Sequence, residues 1–463
     1  MKIKFLGAAK TVTGSCYYVQ ANNINILIDC GIFQGTRDNE ERNLNPFPFM
    51  PSEIHYVLLT HAHLDHSGLI PKLVKDGFKG RILATRATVD LCGVVLLDSA
   101  YIQERDAELE NKRRIRAGKP PIKSLYTVQE AADSIAYFQG VNYNETLDMS
   151  NGMKVRFQDA GHILGSAIVE LWVKDDTQEK KLVFSGDLGQ KNLPLVKNPT
   201  PIEDGDYVFI ESTYGNRKHK GIQETIDEFT RVITEAIKKA GNVLIPAFAV
   251  GRTQDILYIL NQLTREGKLN RLLVFVDSPM ALQATRITLK HPECLDKETL
   301  ELIKNDKFPK NGLSLKFTES VEESMEINKI QSNVIIISAS GMCEGGRIRH
   351  HLKHNLWRSE CSVIFVGFQA VGTLGRRIVE GAKTVRIFGE EIAVNATIYT
   401  IGGLSAHADR DGLLDWLGKF KKKPRRVFVM HGEEQTALDF ARTIQDRLQL
   451  DAYAPDIMEE IQV

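Results

Sequence analysis

The sequence predicts a mixed α/β chain built as two domains, one interrupting the other. Three observations lead there. At 463 residues the chain is longer than one hydrophobic core usually supports. Short β-type runs fill the part before Asp206, and from there apolar strands alternate with amphipathic helices, the rhythm of a parallel α/β layer. After residue 380 β-type runs return and lead towards two histidines, His407 and His431, so the middle segment reads as an insertion.

In chain order, Lys2 to Gly7, Ser15 to Gln20, Asn25 to Asp29 and Tyr56 to Thr60 are β-type runs broken by Gly and Asn, and the last feeds a loop starting at His61. A long helix is expected from about Thr88 to Asn111, then strands over Lys154 to Asp159, Ala167 to Val173 and Lys181 to Ser185. The alternating part gives strands over Tyr207 to Ile210, Val243 to Ala247, Leu272 to Val276, Val334 to Ser338 and Ser362 to Val366. Helices are expected over Ile222 to Lys239 and Thr253 to Glu266. Three of its runs empty into Gly-containing loops before a helix, at 249–254, 338–342 and 367–375. Such loops can cradle phosphate at a helix start or simply turn the chain, and singly the turn is favoured. The tail adds Glu391 to Val394, Ala396 to Ile401 and Arg426 to Met430, and a helix over Thr436 to Leu448.

Composition narrows the function. With 59 basic and 59 acidic residues the formal charge is zero, so no global field favours a polyanion and any nucleic-acid site must be local. The basic stretches are Lys112, Arg113, Arg114 and Arg116, then Arg376 and Arg377, then Lys421 to Lys423 with Arg425 and Arg426. Each is more often a solvated face than a binding patch. The six cysteines have no paired spacing and read as buried thiols of a reducing compartment. The start carries no signal-peptide pattern, and no apolar run approaches the roughly 20 residues of a membrane span. A cytoplasmic, soluble protein is expected.

The chemistry is concentrated in Thr60-His61-Ala62-His63-Leu64-Asp65-His66-Ser67-Gly68, directly after an apolar strand. In an extended segment residues two apart project to one side, so His61 and His63 can share a metal while Asp65 and His66 serve another. Imidazole and carboxylate donors without thiolate suit zinc that keeps a position open for water. Three histidines and one aspartate within six residues at a strand end make an accidental polar loop a poor alternative.

His61-Ala62-His63-Leu64-Asp65-His66 resembles the signature of the metallo-β-lactamase superfamily. Further motifs follow in its order: Asp29 in Leu27-Ile28-Asp29-Cys30-Gly31, His162 in Ala160-Gly161-His162-Ile163-Leu164-Gly165, and Asp187 in Ser185-Gly186-Asp187. Within that superfamily the chain resembles the β-CASP nucleases. Their three extra motifs are matched by Glu211 in Ile210-Glu211-Ser212-Thr213, His407 in Ser405-Ala406-His407-Ala408-Asp409, and His431 in Met430-His431-Gly432. The resemblance implies an αββα sandwich over 1–212 and 382–463 with a β-CASP α/β domain inserted over 213–381. It implies two zinc ions per chain, one on His61, His63 and His162, the other on Asp65, His66 and His431, with Asp187 bridging. Asp29 would orient a ligand, His407 would be the general acid held by Glu211, and Ser405 would touch the scissile phosphate. A zinc-activated water would then hydrolyse RNA, with a single strand as the expected substrate. His431 favours RNA, because the family's DNA-processing branch has an apolar residue there. A small-molecule ester or thioester hydrolase and a non-catalytic RNA-binding subunit are the alternatives. The long insertion argues against the first and the full ligand set against the second. RNA-binding extensions and a dimerising tail of some members have no counterpart here, so homodimer formation stays open.

Overall fold

A computed structural model describes residues 1–174, 178–269, 273–305, 313–367, 369–370 and 372–463. Leu272, expected to start a strand, and residues 368 and 371 of the third Gly-containing loop lie outside the described residues. The chain forms two compact units, one of Met1–Lys191, Asn198–Lys218 and His407–Val463, the other of Asn192–Lys197 and His219–Ala406.

The first unit holds two seven-stranded sheets. One runs in the order Glu460–Gln462, Lys2–Gly7, Cys16–Ala21, Ile24–Ile28, Tyr56–Leu58, Arg81–Thr85, Phe138–Val141. The other runs Ala452–Tyr453, Arg426–Met430, Tyr207–Glu211, Glu179–Phe184, Ala167–Lys174, Met153–Asp159, Thr146–Asp148. Alternate side chains from both sheets interdigitate in one core, including Ile3, Phe5, Tyr17, Ile26 and Leu58 from the first and Val155, Val169, Phe184, Phe209 and Phe428 from the second. The opposite face of the second sheet, with Ile168, Val183, Val208, Ile210 and Val429, is covered by Leu413, Trp416, Phe440 and Ile444 of the helices Arg410–Leu417 and Glu434–Leu448. Helices Ile70–Lys75, Arg86–Arg116 and Val128–Ile135 pack on the first sheet's side. The result is the αββα sandwich that the sequence implied.

The second unit is a parallel six-stranded sheet in the order Ser314–Phe317, Leu273–Asp277, Val334–Ser338, Val243–Pro246, Ser362–Phe365, Thr397–Thr400. Helices carrying Phe229, Ile233, Ile256, Leu260 and Ala281 bury one face. Its four inner strands are mostly apolar and buried, as strands covered on both faces require, whereas the edge strands Ser314–Phe317 and Thr397–Thr400 carry polar residues.

Two expectations change. The return to the first unit comes at His407, not at 382, because Thr397–Thr400 pairs in parallel with Ser362–Phe365, and the hairpin Thr384–Ile387 and Glu390–Ala393 places Val385 and Ile387 in a core with Phe365 and Ile378. The helix expected to end near Asn111 continues to Arg116. Among the described residues no helix is long and apolar enough to cross a membrane.

Candidate metal centre

The centre lies where parallel strands of both sheets of the first unit end, and strand register places it there. Ile28, Leu58 and Leu83 are paired across three neighbouring strands, so Asp29 and the segment from Leu59 to His66 leave the sheet side by side. In the second sheet Phe184, Phe209 and Phe428 are paired likewise, and their rings stack at 4.4 Å and 10°, then 5.0 Å and 14°. Asp187, Glu211 and His431 follow this aromatic row by two or three residues, so locking the phenylalanines sets all three. His162 comes from the loop between Met153–Asp159 and Ala167–Lys174. There Ser166 Oγ accepts from the His162 N–H at 3.0 Å, and Asp159 Oδ1 accepts from the Gly161 N–H at 2.9 Å.

Asp29 and His431 adopt left-handed backbone, at φ 61° and 48°, which non-glycine residues hold only when their surroundings compel it. Gly186, at φ 54°, precedes Asp187 at a crowded point where an added Cβ would lie 2.9 Å from Ala167 O. The four residues Leu64–Ser67 form a helical turn capped by His63, so Asp65 and His66 leave the extended run that His61 and His63 share.

Two groups of donors result. His61, His63, His162 and Asp187 each offer an atom within 4.8 Å of the others, and so do Asp65, His66 and His431. In the first group His63 Nδ1 stands 3.1 Å from His61 Nε2 and 3.3 Å from His162 Nε2, and Asp187 Oδ2 lies 3.5 and 3.6 Å from those Nε2 atoms. In the second, His66 Nε2 is 3.2 Å from His431 Nε2, which is 3.4 Å from Asp65 Oδ2. The other Asp187 oxygen, Oδ1, is 3.4 Å from His66 Nε2. One carboxylate thus faces both groups.

Hydrogen bonds decide where the imidazole protons sit. The Thr60 hydroxyl donates to Asp29 Oδ2 at 3.0 Å, so its oxygen accepts from His61 Nδ1 at 3.1 Å. The Thr213 hydroxyl donates to the His431 carbonyl and accepts from His431 Nδ1, both at 3.1 Å. His66 Nδ1 donates to Asp29 Oδ2 at 2.7 Å. Each of these rings therefore has its Nδ1 committed outward and leaves Nε2 as the atom available to a metal. Asp187 Oδ1 is buried without a hydrogen bond. A cation placed among them would bind these nitrogens and the Asp187 carboxylate together, and four ligands at the bond lengths of zinc stand about 3.3 Å apart, close to the 3.1–3.6 Å found here. The residues fit zinc.

The charges agree. Burial, reinforced by His66, pushes His61 well below the ordinary imidazole range. Burial opposes protonation of His66 as well, yet Asp187 and Asp29 raise it. Asp187 would be pushed up by burial, but His431, His66 and His407 hold it well below the usual carboxylate range.

To one side, His407 Nδ1 lies 3.2 Å from each Glu211 oxygen and 3.9 Å from Asp187 Oδ2. Glu211 is fully buried and also accepts the Leu188 N–H at 2.7 Å, whereas the His407 side chain keeps 22% of its surface exposed. Against the cost of burial, Glu211 and Asp187 raise His407 to about 9. The structure therefore brings together His61, His63, Asp65, His66, His162, Asp187 and His431, with Asp29 behind His66 and Glu211 behind His407. Ser405 is the last residue but one of the second unit, two residues before His407, and is half-buried. Ser15, Thr60 and Thr213 are the residues sequence reasoning missed. Ser15 Oγ donates to Asp29 at 3.2 Å, and only adjacency to the Asp29, His61 and Glu211 motifs in space or sequence marks the three.

Such a centre, at the shared carboxyl ends of two facing sheets clad in helices, defines a metal-dependent hydrolase of the metallo-β-lactamase kind. Comparison with known proteins agrees and goes further. Residues 9–214 match the model of the metallo-beta-lactamase superfamily, 253–378 the Beta-Casp domain and 391–455 the Zn-dependent metallo-hydrolase RNA specificity domain. A ribonuclease of Thermus thermophilus is 36% identical over 96% of both chains. An RNase J-like protein of Methanocaldococcus jannaschii is 31% identical over 98% of this chain and 97% of its own. The transcription termination factor FttA of the same organism is 32% identical over all of this chain and 72% of its own. A crystal structure of an Enterococcus faecalis protein of unknown function shares the fold, with TM-score 0.58 at 12% identity over 100% of this chain and 99% of that one. The chain belongs to the β-CASP family of the metallo-β-lactamase superfamily.

Proposed function

We propose that the chain is a zinc-dependent ribonuclease that hydrolyses phosphodiester bonds of single-stranded RNA in processing or decay. The observation that carries this is the pair of inward-facing donor groups sharing Asp187, with His407 and Glu211 beside them. His61, His63 and His162 would hold one zinc, and Asp65, His66 and His431 the other, with Asp187 on both. Two bound zinc ions would supply a water acidic enough to attack at neutral pH and a positive field for the phosphate oxygens. His407, its Nδ1 fixed by Glu211, presents its remaining nitrogen for proton donation to the departing 3′ oxygen. Water adds its oxygen to phosphorus and loses a proton, while the P–O3′ bond breaks and takes one from His407, leaving a 5′-phosphate and a 3′-hydroxyl. Ser405, so close in sequence to His407, would contact the scissile phosphate.

RNA is favoured over small esters because the match to an RNA specificity domain spans His407 and His431 and because two of the relatives above are named as ribonucleases. The six cysteines are free and buried, which suits the reducing cytoplasm. All named ligands come from one chain, so the reading does not depend on homodimer formation. Incubating 5′- and 3′-labelled RNA, bis(p-nitrophenyl) phosphate and a thioester with the zinc-loaded protein and with Asp187→Ala tests it. RNA cleavage by the first protein alone is expected. Thioester turnover with intact RNA would overturn it.

A further inference from the structure

The basic run around Lys112 is not used by the centre, and the fold gives it a place. The helix Arg86–Arg116 begins beside the His162 loop, where Thr85 and Thr88 hydroxyls donate to Gly165 O at 2.7 and 2.8 Å. Its first half is packed, with Leu91, Cys92, Val95, Leu96 and Ala100 buried, but nothing beyond Ala100 is. At 31 residues it carries its far end about 45 Å from that loop.

The projecting half is braced. Gly118, at φ 67°, closes the helix, with Lys119 N–H donating to Arg114 O at 2.9 Å and Gly118 N–H to Ile115 O at 3.1 Å. The chain then runs back along the helix. Asn111 accepts from Ile122 N–H at 2.7 Å and donates to Ile122 O at 2.8 Å, and Arg114 Nε donates to Pro120 O at 2.7 Å. Over 111–124 there are six basic residues, Lys112, Arg113, Arg114, Arg116, Lys119 and Lys123, and no acid. Arg113 has Glu110 at 3.7 Å, but Lys112, Arg116, Lys119 and Lys123 are exposed and form no ion pair among the described residues. Cations in a last helical turn complement the helix dipole, which accounts for Arg113 and Arg116 but not for Lys119 and Lys123 beyond the helix. In a chain of zero net charge, a stiff arm ending in uncompensated cations is a local polyanion contact.

We propose that this arm tip is a second, remote RNA-binding surface that holds the phosphate backbone of the strand being cut at the centre. It rests on the ribonuclease reading and adds a length requirement. At about 3.4 Å per nucleotide of stacked strand, a span of about 45 Å is about 13 nucleotides, so only longer RNAs engage both surfaces.

The test replaces the four unpaired cations together, Lys112→Gln, Arg116→Gln, Lys119→Gln and Lys123→Gln, leaving Arg114 to brace the arm. Cleavage of strands of about 8 and about 40 uridines is compared with the zinc-loaded wild-type protein. The variant should lose at least about tenfold in kcat/KM on the long strand, through KM, and nothing on the short one. The salt dependence of binding to a long phosphorothioate strand, read by fluorescence anisotropy, should fall in slope by about 3. Lys112→Arg, Lys119→Arg and Lys123→Arg together should behave as wild type. Unchanged kinetics and salt slope on the long strand would overturn the proposal, as would an equal loss on both lengths. If the wild-type protein cut neither strand, the ribonuclease reading would fail, and the anisotropy would still decide the arm.

Discussion

Each unit buries an aspartate near the end of a parallel strand, and the two are satisfied in opposite ways. Asp277 closes the strand Leu273–Asp277 and is wholly buried. It accepts from the Thr318 hydroxyl, from Ser324 Oγ at 2.6 Å, from Arg347 Nη1 at 2.8 Å and from His351 Nε2 at 2.6 Å. Burial pushes its carboxyl up, yet His351, Ser324 and Thr318 hold it well below the usual range. Asp187, equally buried, faces imidazole nitrogens of which His61, His66 and His431 have spent their N–H on Thr60, Asp29 and Thr213. Residue type, burial and place in the fold are shared. What differs is the partners: hydroxyl, guanidinium and imidazole donors complete one carboxylate, whereas the other sits among imidazoles grouped as metal ligands would be. A buried acid alone therefore does not mark a reactive site.

That contrast can be broken by substitution. The largest loss is expected for Asp187→Ala, which removes the carboxylate common to both donor groups. Metal content should fall and RNA cleavage drop to background, and retention of full metal would break the comparison. His407→Ala should keep its metal and lose about 10²–10⁴-fold in kcat, the worth of a general acid. Equal metal loss in both variants would merge roles that the geometry separates. Asp29→Asn disturbs what holds His66 and, through Thr60, His61, but removes no ligand, so about 10–100-fold in metal affinity or activity is expected, measured by competition with a chelator.

Asp277→Ala should leave metal stoichiometry untouched. It strands His351 and Arg347 without their partner and should cost about 3–5 kcal/mol in denaturant unfolding. Because the folded pKa of Asp277 is depressed, its stabilisation is present above the ordinary carboxylate value of about 4 and is lost as pH falls below it. The stability gap between wild type and Asp277→Asn should therefore narrow in acid. A gap that widened there would show that the network does not rest on the ionised carboxylate.

How legible each region was follows from how local its cause is. His61, His63, Asp65 and His66 are one short segment, so strand periodicity and donor chemistry were enough to single them out. The αββα unit was legible through motifs that arrive in order at strand ends. Thr60 and Thr213 were not, since a hydroxyl that fixes an imidazole tautomer has no pattern of its own. The strand Thr397–Thr400 was placed in the wrong unit because an apolar run does not name its neighbour. Only its long-range pairing with Ser362–Phe365 does. The basic run at Lys112 read as a solvated face, and it gained meaning once the helix was seen to bury no residue beyond Ala100.

The claim on which everything else rests is that the donor groups meeting at Asp187 hold metal. Zinc loading followed by inductively coupled plasma mass spectrometry measures this directly on the wild-type protein, Asp187→Ala and Asp277→Ala. Two equivalents of zinc in wild type and in Asp277→Ala, with loss in Asp187→Ala, is the predicted result. Wild-type protein that stays metal-free after loading, or an Asp187→Ala protein that binds as much zinc as wild type, would contradict it.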